Sequence, residues 1–198
     1  DTVIINSCAV TAAASSDSRQ KIRQAHQLGI ENIIFTGCWV SLYPQQAAKL
    51  EGVTSVVDNI EKMKIPARLL NTDDLIMDLE PIVREPLPGV HHRTRAFIKA
   101  QDGCDNYCTY CVTRLARGKA VSIPVENVLF HVDEAIDGGT KEIVLTGVNL
   151  GSWGKDLEEK MDLGYLVKEI LDKTKIERVR LSSLEPWDIE ESFFALWD

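Results

Sequence analysis

Short runs of β-branched and apolar residues alternate with segments of helical period along most of this chain, which restricts it to βα units around parallel sheets. Val3 to Asn6 and Ile33 to Thr36 read as buried strands. Between them, Ser15 to Leu28 reads as a helix, with Ser15 or Ser16 as cap, Ile22 and Ala25 on the apolar face and Gly29 as terminator. A weaker helix follows near Pro44 to Leu50, then a strand at Ser55 to Val57. From Pro81 to Arg95 the pattern lapses into prolines, Gly89 and charged residues, the composition of a linker. Alternation resumes with a strand at Ala96 to Ala100 and a helix from Pro124 to Asp137, which Gly138-Gly139 ends. In that helix Val125, Val128, Leu129, Val132 and Ile136 recur at helical spacing, and Pro124 suits the first turn. A strand at Glu142 to Thr146, a helix near Leu163 to Lys173 and a strand at Arg178 to Ser182 complete the run. Three strands of one parallel sheet are too few to close a barrel.

With 198 residues, 44% of them hydrophobic, the chain has material for one domain or two small ones. Its formal charge of −8 argues against a general attraction to polyanions, so any nucleic-acid contact must be local. No stretch approaches the roughly 20 apolar residues of a membrane span, and the N-terminus lacks the basic-then-apolar plan of a signal peptide. The expected compartment is the cytoplasm, with no membrane partner. The sequence opens without Met on a strand-like run and closes on Phe193 to Trp197, which reads as the start of a helix; we expect an internal fragment.

Five cysteines, three of them within eight residues, suit metal ligation in a reducing compartment better than a disulfide framework. Cys104, Cys108 and Cys111 form a CxxxCxxC loop after the strand at Ala96 to Ala100, at the carboxyl end where α/β folds gather their sites. Three thiolates can each hold one iron of a 4Fe-4S cubane and leave the fourth iron open to a small molecule. Two other readings are a structural zinc site completed by His91 or His92, and inert buried thiols. Cys8 and Cys38 each stand just past a predicted strand of the first half. If those strands are neighbours the two thiols are positioned to share a metal; otherwise both are small buried hydrophobes.

The run from Arg95 to Cys111, with Ala116-Arg117-Gly118 beyond it, resembles the radical S-adenosylmethionine methylthiotransferases that modify adenosine 37 of tRNA. The resemblance implies an α/β fold in which an N-terminal Rossmann-like parallel-sheet domain (1–80) and a linker (81–95) precede the first half of a partial (β/α) radical SAM barrel (96–198). It implies a 4Fe-4S cluster on Cys104, Cys108 and Cys111, whose open iron takes the amino and carboxylate groups of S-adenosylmethionine. A second, auxiliary 4Fe-4S cluster would use Cys8, Cys38 and a cysteine upstream of this chain. By the same resemblance the Gly-containing turn Leu145 to Gly151, with Thr146 and Gly147, would let backbone approach the amino-acid moiety of the cofactor. Ser182 to Pro186, with Ser183 and Glu185, offers hydroxyl and carboxylate groups to a ribose or sulfonium, or else is a helix cap before Pro186, and Tyr110 either lies against the adenine or simply packs. The partners implied are the tRNA anticodon loop and an electron donor.

From His91 to Lys119 six basic residues face two acids, a local patch that phosphates can use, and Arg114, Arg117 and Lys119 are its candidate RNA contacts. The chain departs from similar enzymes at Val112-Thr113-Arg114, where a proline usually follows the third cysteine, and at Ser122-Ile123, where a basic residue usually follows the serine. Ser182-Ser183-Leu184-Glu185-Pro186 looks most like the branch acting on threonylcarbamoyladenosine. The rivals are the same chemistry on isopentenyladenosine 37 or on a ribosomal protein and, from another class, a zinc-stabilised RNA-binding module. The chain by itself is expected to be inactive in sulfur insertion.

Overall fold

A computed structural model describes residues 1–70, 95–159, 161–189 and 191–197. The expected linker therefore lies outside the described residues except for Arg95, as do His91 and His92. The chain divides into two compact units, one of Asp1–Asp78 with Asp105–Gly118, the other of Leu79–Cys104 with Lys119–Asp198.

The first unit carries β1 (Thr2–Ser7), α1 (Ala12–Gln27), β2 (Asn32–Gly37), α2 (Cys38–Leu42), α3 (Pro44–Ala47), β3 (Ser55–Val57), a 3-10 turn at Lys62–Lys64 and α4 (Ile65–Leu70), with α5 (Thr113–Arg117) from later in the chain. Its sheet is parallel, in the order β1-β2-β3. The middle strand, Asn-Ile-Ile-Phe-Thr-Gly, is buried along nearly its whole length, which explains an apolar run without alternation. Ile5, Ile22, Ile33, Phe35, Trp39 and Val40 form the core. Trp39 packs between Phe35 and Tyr43, at ring-centroid distances of 5.8 and 5.5 Å. Helix α1 begins earlier than its serines suggest. Thr11 is the cap, its hydroxyl accepting from the Ala14 N–H at 3.1 Å, while the buried Ser15 hydroxyl lies 3.1 Å from both the Thr11 and the Cys8 carbonyls.

The second unit carries β4 (Arg95–Lys99), β5 (Gln101–Asp102), β6 (Val121–Ser122), α6 (Val125–Asp137), β7 (Glu142–Thr146), α7 (Leu163–Lys173) and β8 (Arg178–Leu181). Short 3-10 turns stand at Leu150–Ser152, Pro186–Asp188 and Glu191–Trp197. The parallel sheet runs β4-β7-β8, and β5 pairs antiparallel with β6. Pro124 is the residue before α6 rather than its first member, with extended backbone and no side-chain cap. Val128 and Val132 of α6 and Leu166 and Ile170 of α7 close over Ile143 and Leu145 of the central strand. Trp153 is fully buried among them and its indole N–H donates to the Ile123 carbonyl at 2.9 Å, so the ring brings no unsatisfied donor into the core. The fold is thus the mixed α/β arrangement that the alternation predicts, with parallel sheets and helices between their strands.

At the amino end of this sheet Glu142 is held by three arginines: Arg95 on β4, and Arg178 and Arg180 on β8, the last two at 3.2 and 3.3 Å. Desolvation raises the pKa of this carboxyl, but hydrogen bonds from Arg178 and Arg95, the charge of Arg95 and a hydrogen bond from Arg180 outweigh it and hold the pKa below its ordinary value. A carboxyl whose pKa is lowered on folding stabilises the fold above its unfolded pKa, about 4.3 for Glu, and loses that contribution as pH falls through the lower folded value. Glu142→Gln is expected to lower the melting temperature at pH 7 and to flatten its fall on acidification. Wild-type and variant melting curves that stay parallel from neutral pH down through that range would dismiss this account.

Candidate functional site

In the first unit the register of the sheet places the two early cysteines. Ser7 of β1 pairs with Gly37 of β2, so Cys8 and Cys38 are the next residues at two adjacent carboxyl ends. Gly37 makes the approach possible. Its φ is +100°, and a Cβ there would collide with the backbone of Ser7 and the side chain of Asn6. Cys38 is buried and Cys8 half-buried, and both are free thiols. They line one cavity of about 170 Å³ together with Asn59, Lys62, Thr113 and Arg117. Asn59 is buried, donates its backbone N–H to Ser41 Oγ at 3.0 Å, and accepts from Lys62 Nζ at 3.0 Å, which fixes the ammonium at the cavity wall. Arg117, expected from sequence to contact RNA, lines this cavity too.

The loop of the later cysteines begins in the second unit. Asp102 Oδ1 accepts the Gly103 N–H at 2.8 Å, and Gly103 turns with a φ of +70° immediately before the half-buried Cys104. Cys108 and Cys111 belong to the segment grouped with the first unit, and both are exposed free thiols. The Cys111 N–H donates to the Cys108 carbonyl at 3.1 Å, which closes a turn around Thr109 and Tyr110. Thr113 Oγ1 lies 3.2 Å from Cys111 Sγ. The Thr113 side-chain hydrogen bond, and then its backbone N–H, hold the Cys111 thiol below its ordinary value. The thiolate, which is the metal-binding form, is thereby favoured.

Tyr110 is 89% exposed. Arg114 stacks over the exposed Tyr107 at 3.7 Å from the ring centroid and donates to its hydroxyl at 2.8 Å, while Lys119 is exposed.

The turn after β7 is built around a side chain that the sequence reading passed over. Gln101 is 1% exposed, and its carboxamide makes four hydrogen bonds. Nε2 donates to the Asp102 and Gly103 carbonyls, both at 2.8 Å, and Oε1 accepts from the Val148 and Asn149 N–H groups at 2.9 and 3.0 Å. Gly147 was expected to let backbone approach a ligand. What its missing Cβ makes room for is Gln101, since a Cβ there would sit 2.9 Å from Oε1. Thr146 donates its hydroxyl to the Ile98 carbonyl at 3.2 Å, which fastens β7 to β4.

Past β8, Ser183 adopts a φ of +44°, and its carbonyl accepts from the Leu150 N–H at 3.1 Å, so the two strand-end turns run side by side. Glu185 is half-buried at the start of the Pro186–Asp188 turn. Two polar atoms at these ends, Asn149 Oδ1 and Ser182 Oγ, are buried without a hydrogen-bond partner. Native interiors rarely leave such atoms without a partner, and an ordered water or a polar ligand at the strand ends would satisfy them. Both lie in runs that the sequence marks, Asn149 in the turn Leu145 to Gly151 and Ser182 at the head of Ser182 to Pro186, but that their oxygens are buried is visible only in the structure.

Among the described residues no group of three or more His, Cys, Asp or Glu converges as the ligands of one ion would. A cubane differs in its demand, because each thiolate takes its own iron. Three free thiols on one loop, the last biased toward thiolate, suit that donor set, and the two buried oxygens at the strand ends suit a polar cofactor.

Residues 1–58 match the model described as "Uncharacterized protein family UPF0004" and residues 98–194 that described as "Radical SAM superfamily". The chain is 33% identical over 192 residues to the threonylcarbamoyladenosine tRNA methylthiotransferase MtaB of Chlamydia pneumoniae, an alignment covering 96% of this chain and 44% of that protein. The same-named protein of Thermotoga maritima is 40% identical over 195 residues, covering 95% of this chain and 44% of its own length. A tRNA-2-methylthio-N(6)-dimethylallyladenosine synthase of Clostridioides difficile is 30% identical over 213 residues, covering 100% of this chain and 45% of that protein. The chain thus spans just under half the length of the curated relatives it matches. With the two family models in this order along one chain, and relatives aligned across nearly all of it, the chain belongs to the radical SAM methylthiotransferase family.

Proposed function

We propose that the protein containing this chain inserts a methylthio group at C2 of N6-threonylcarbamoyladenosine 37 in the tRNA anticodon loop, in the cytoplasm. The observation that carries this reading is the meeting of Cys8 and Cys38 at one cavity, in a chain that also bears the CxxxCxxC loop. A radical enzyme that only removes hydrogen needs the second set alone. A second pair of thiols at a cavity of its own suits an enzyme that must also hold sulfur.

In this reading Cys104, Cys108 and Cys111 hold one 4Fe-4S cluster, and Cys8 and Cys38, with a further thiolate of the protein, hold another. Cluster and S-adenosylmethionine together supply one-electron chemistry that yields a radical able to take hydrogen from carbon, the electron coming from an external donor. The chain's own residues bind and orient. Asn149 and Ser182 offer their oxygens to the cofactor beside Thr146, Gly147, Ser183 and Glu185, and Tyr110 offers a ring face to the adenine. Lys62 and Arg117 give the Cys8–Cys38 cavity a positive wall, and Arg114 and Lys119 meet RNA.

The substrate branch follows from polarity. Threonylcarbamoyl carries a carboxylate and hydrogen-bonding groups, which need cations and donors, whereas isopentenyl asks for an apolar pocket. Thr113, Arg114 and Arg117 follow Cys111, which favours the polar group. The test gives the full-length protein equal amounts of the two modified tRNAs and follows methylthio nucleosides by mass spectrometry. Threonylcarbamoyl product in excess of roughly ten-fold is expected, about the discrimination one well-placed charged contact provides. Mainly isopentenyl product overturns the branch and leaves the chemistry in place.

A further inference from the structure

We propose that Gln101 is a positioning residue that locks the backbone entering Cys104 to the turn after β7, so that a cluster ligand and the cofactor-binding turn keep one fixed spacing. This rests on the function proposed above and adds to it a residue that touches neither cluster nor cofactor. Gln101 is buried with every hydrogen-bonding position of its carboxamide used. The two donors point one way, to the carbonyls of Asp102 and Gly103, and Cys104 is the next residue. The two acceptor sites point the other way, to the N–H groups of Val148 and Asn149.

Packing alone does not ask for this side chain. A Met or Leu fills a similar volume, Asn is one methylene short, and an ionised Glu has no donor to give. The surroundings are shaped for it as well. Gly147 leaves its Cβ position empty where an added carbon would stand 2.9 Å from Oε1 and 3.1 Å from the Gln101 Cβ. Asn149, whose N–H is gripped by Oε1, is also the residue whose buried Oδ1 lacks a partner. Gln101 therefore sets where that open oxygen stands relative to Cys104. The backbone of Gln101 is itself fixed by the β5–β6 pairing, in register with Ser122. Movement of the bridge is resisted from three sides, which a brace between two binding elements requires.

The test uses the full-length protein after anaerobic cluster reconstitution, comparing wild type with Gln101→Glu, Gln101→Leu and Gly147→Ala. Gln101→Glu keeps the acceptors toward Val148 and Asn149 and loses the donors toward Cys104, while Gly147→Ala keeps Gln101 and crowds it. Iron per chain, affinity for S-adenosylmethionine by equilibrium dialysis, and the change in the reduced cluster's electron paramagnetic resonance signal on adding S-adenosylmethionine are read for each. The expected result is unchanged iron with affinity reduced roughly ten-fold or more, as loss of one or two buried hydrogen bonds implies. The Gln101→Glu protein should also regain affinity as pH falls, because a protonated carboxyl can again donate to a carbonyl; wild type should not.

Wild-type affinity in either Gln101 variant at full iron overturns the proposal. So does a loss of affinity that only follows loss of iron in all three variants, which would make Gln101 a residue of the fold alone. If Gln101→Leu does not fold, Gln101→Glu and Gly147→Ala decide. A wild-type protein that takes up iron and binds no S-adenosylmethionine instead refutes the functional reading on which the proposal stands.

Discussion

Replacing Cys104, Cys108 or Cys111 singly by Ala is expected to abolish reductive cleavage of S-adenosylmethionine, to the background of the protein-free reaction and so by several orders of magnitude. The size of the effect comes from the ligand count. A cubane with three protein thiolates has one iron left for the cofactor, and a site reduced to two thiolates has no stable way to hold the remaining irons. The three positions should therefore fail alike, although Cys104 is half-buried and Cys108 and Cys111 are exposed. Exposure also makes the substitution clean. Removing Sγ from Cys108 or Cys111 leaves no cavity, so melting temperature without iron should scarcely change. Iron content of the reconstituted variants and 5′-deoxyadenosine release are the measurements. Cleavage at the wild-type rate by any one of the three variants would end the assignment of that cysteine as a ligand.

How much of this site was legible in the sequence depends on how far each signal extends along the chain. The strands β2 and β7 were plain because a central parallel strand is apolar on both faces, and α6 and α7 because they bury one face over three or more turns. Helices α2 and α5, five residues each, and the two-residue strands β5 and β6 are too short to show a period. The CxxxCxxC loop needs no fold to be read, since its spacing is local. The pairing of Cys8 with Cys38 needed the register of two strands, and alternation alone suggested it. Gln101 shows where such reading fails. A glutamine after a strand resembles the first residue of a loop, and only burial, with four backbone partners from two turns, marks it as a brace. For Arg117 the structure adds a neighbour that no sequence pattern shows, the Cys8–Cys38 cavity, which it lines.

Cys8→Ala and Cys38→Ala are expected to separate the two halves of the proposed reaction. Cys104, Cys108 and Cys111 would be intact, so S-adenosylmethionine should still be cleaved at a rate within about two-fold of wild type, the scatter expected of a substitution that removes no ligand of that cluster. Methylthiolated nucleoside should fall to background, and iron per chain to about half if two equal cubanes are present in the parent protein. The contrast with the first prediction lies in placement. Cys8 and Cys38 sit at the ends of β1 and β2 in the first unit, whereas Gln101, Thr146 and Asn149, which shape the cofactor turn, all belong to the second. Folding should survive, because Cys and Ala differ by one sulfur, and Cys38 is buried at the wall of an existing cavity rather than in the packed core around Phe35 and Trp39. Gly37→Ala serves as the opposite control. It keeps both thiols but forces a Cβ into Ser7 and strains a backbone at φ +100°, so it should destabilise the first unit and disturb the pair together. A Cys38→Ala protein that still forms the methylthio nucleoside at the wild-type rate would remove that cysteine from the sulfur chemistry. Loss of cofactor cleavage in parallel with product would show instead that Cys8 and Cys38 serve the first cluster, and the two-site reading would fall.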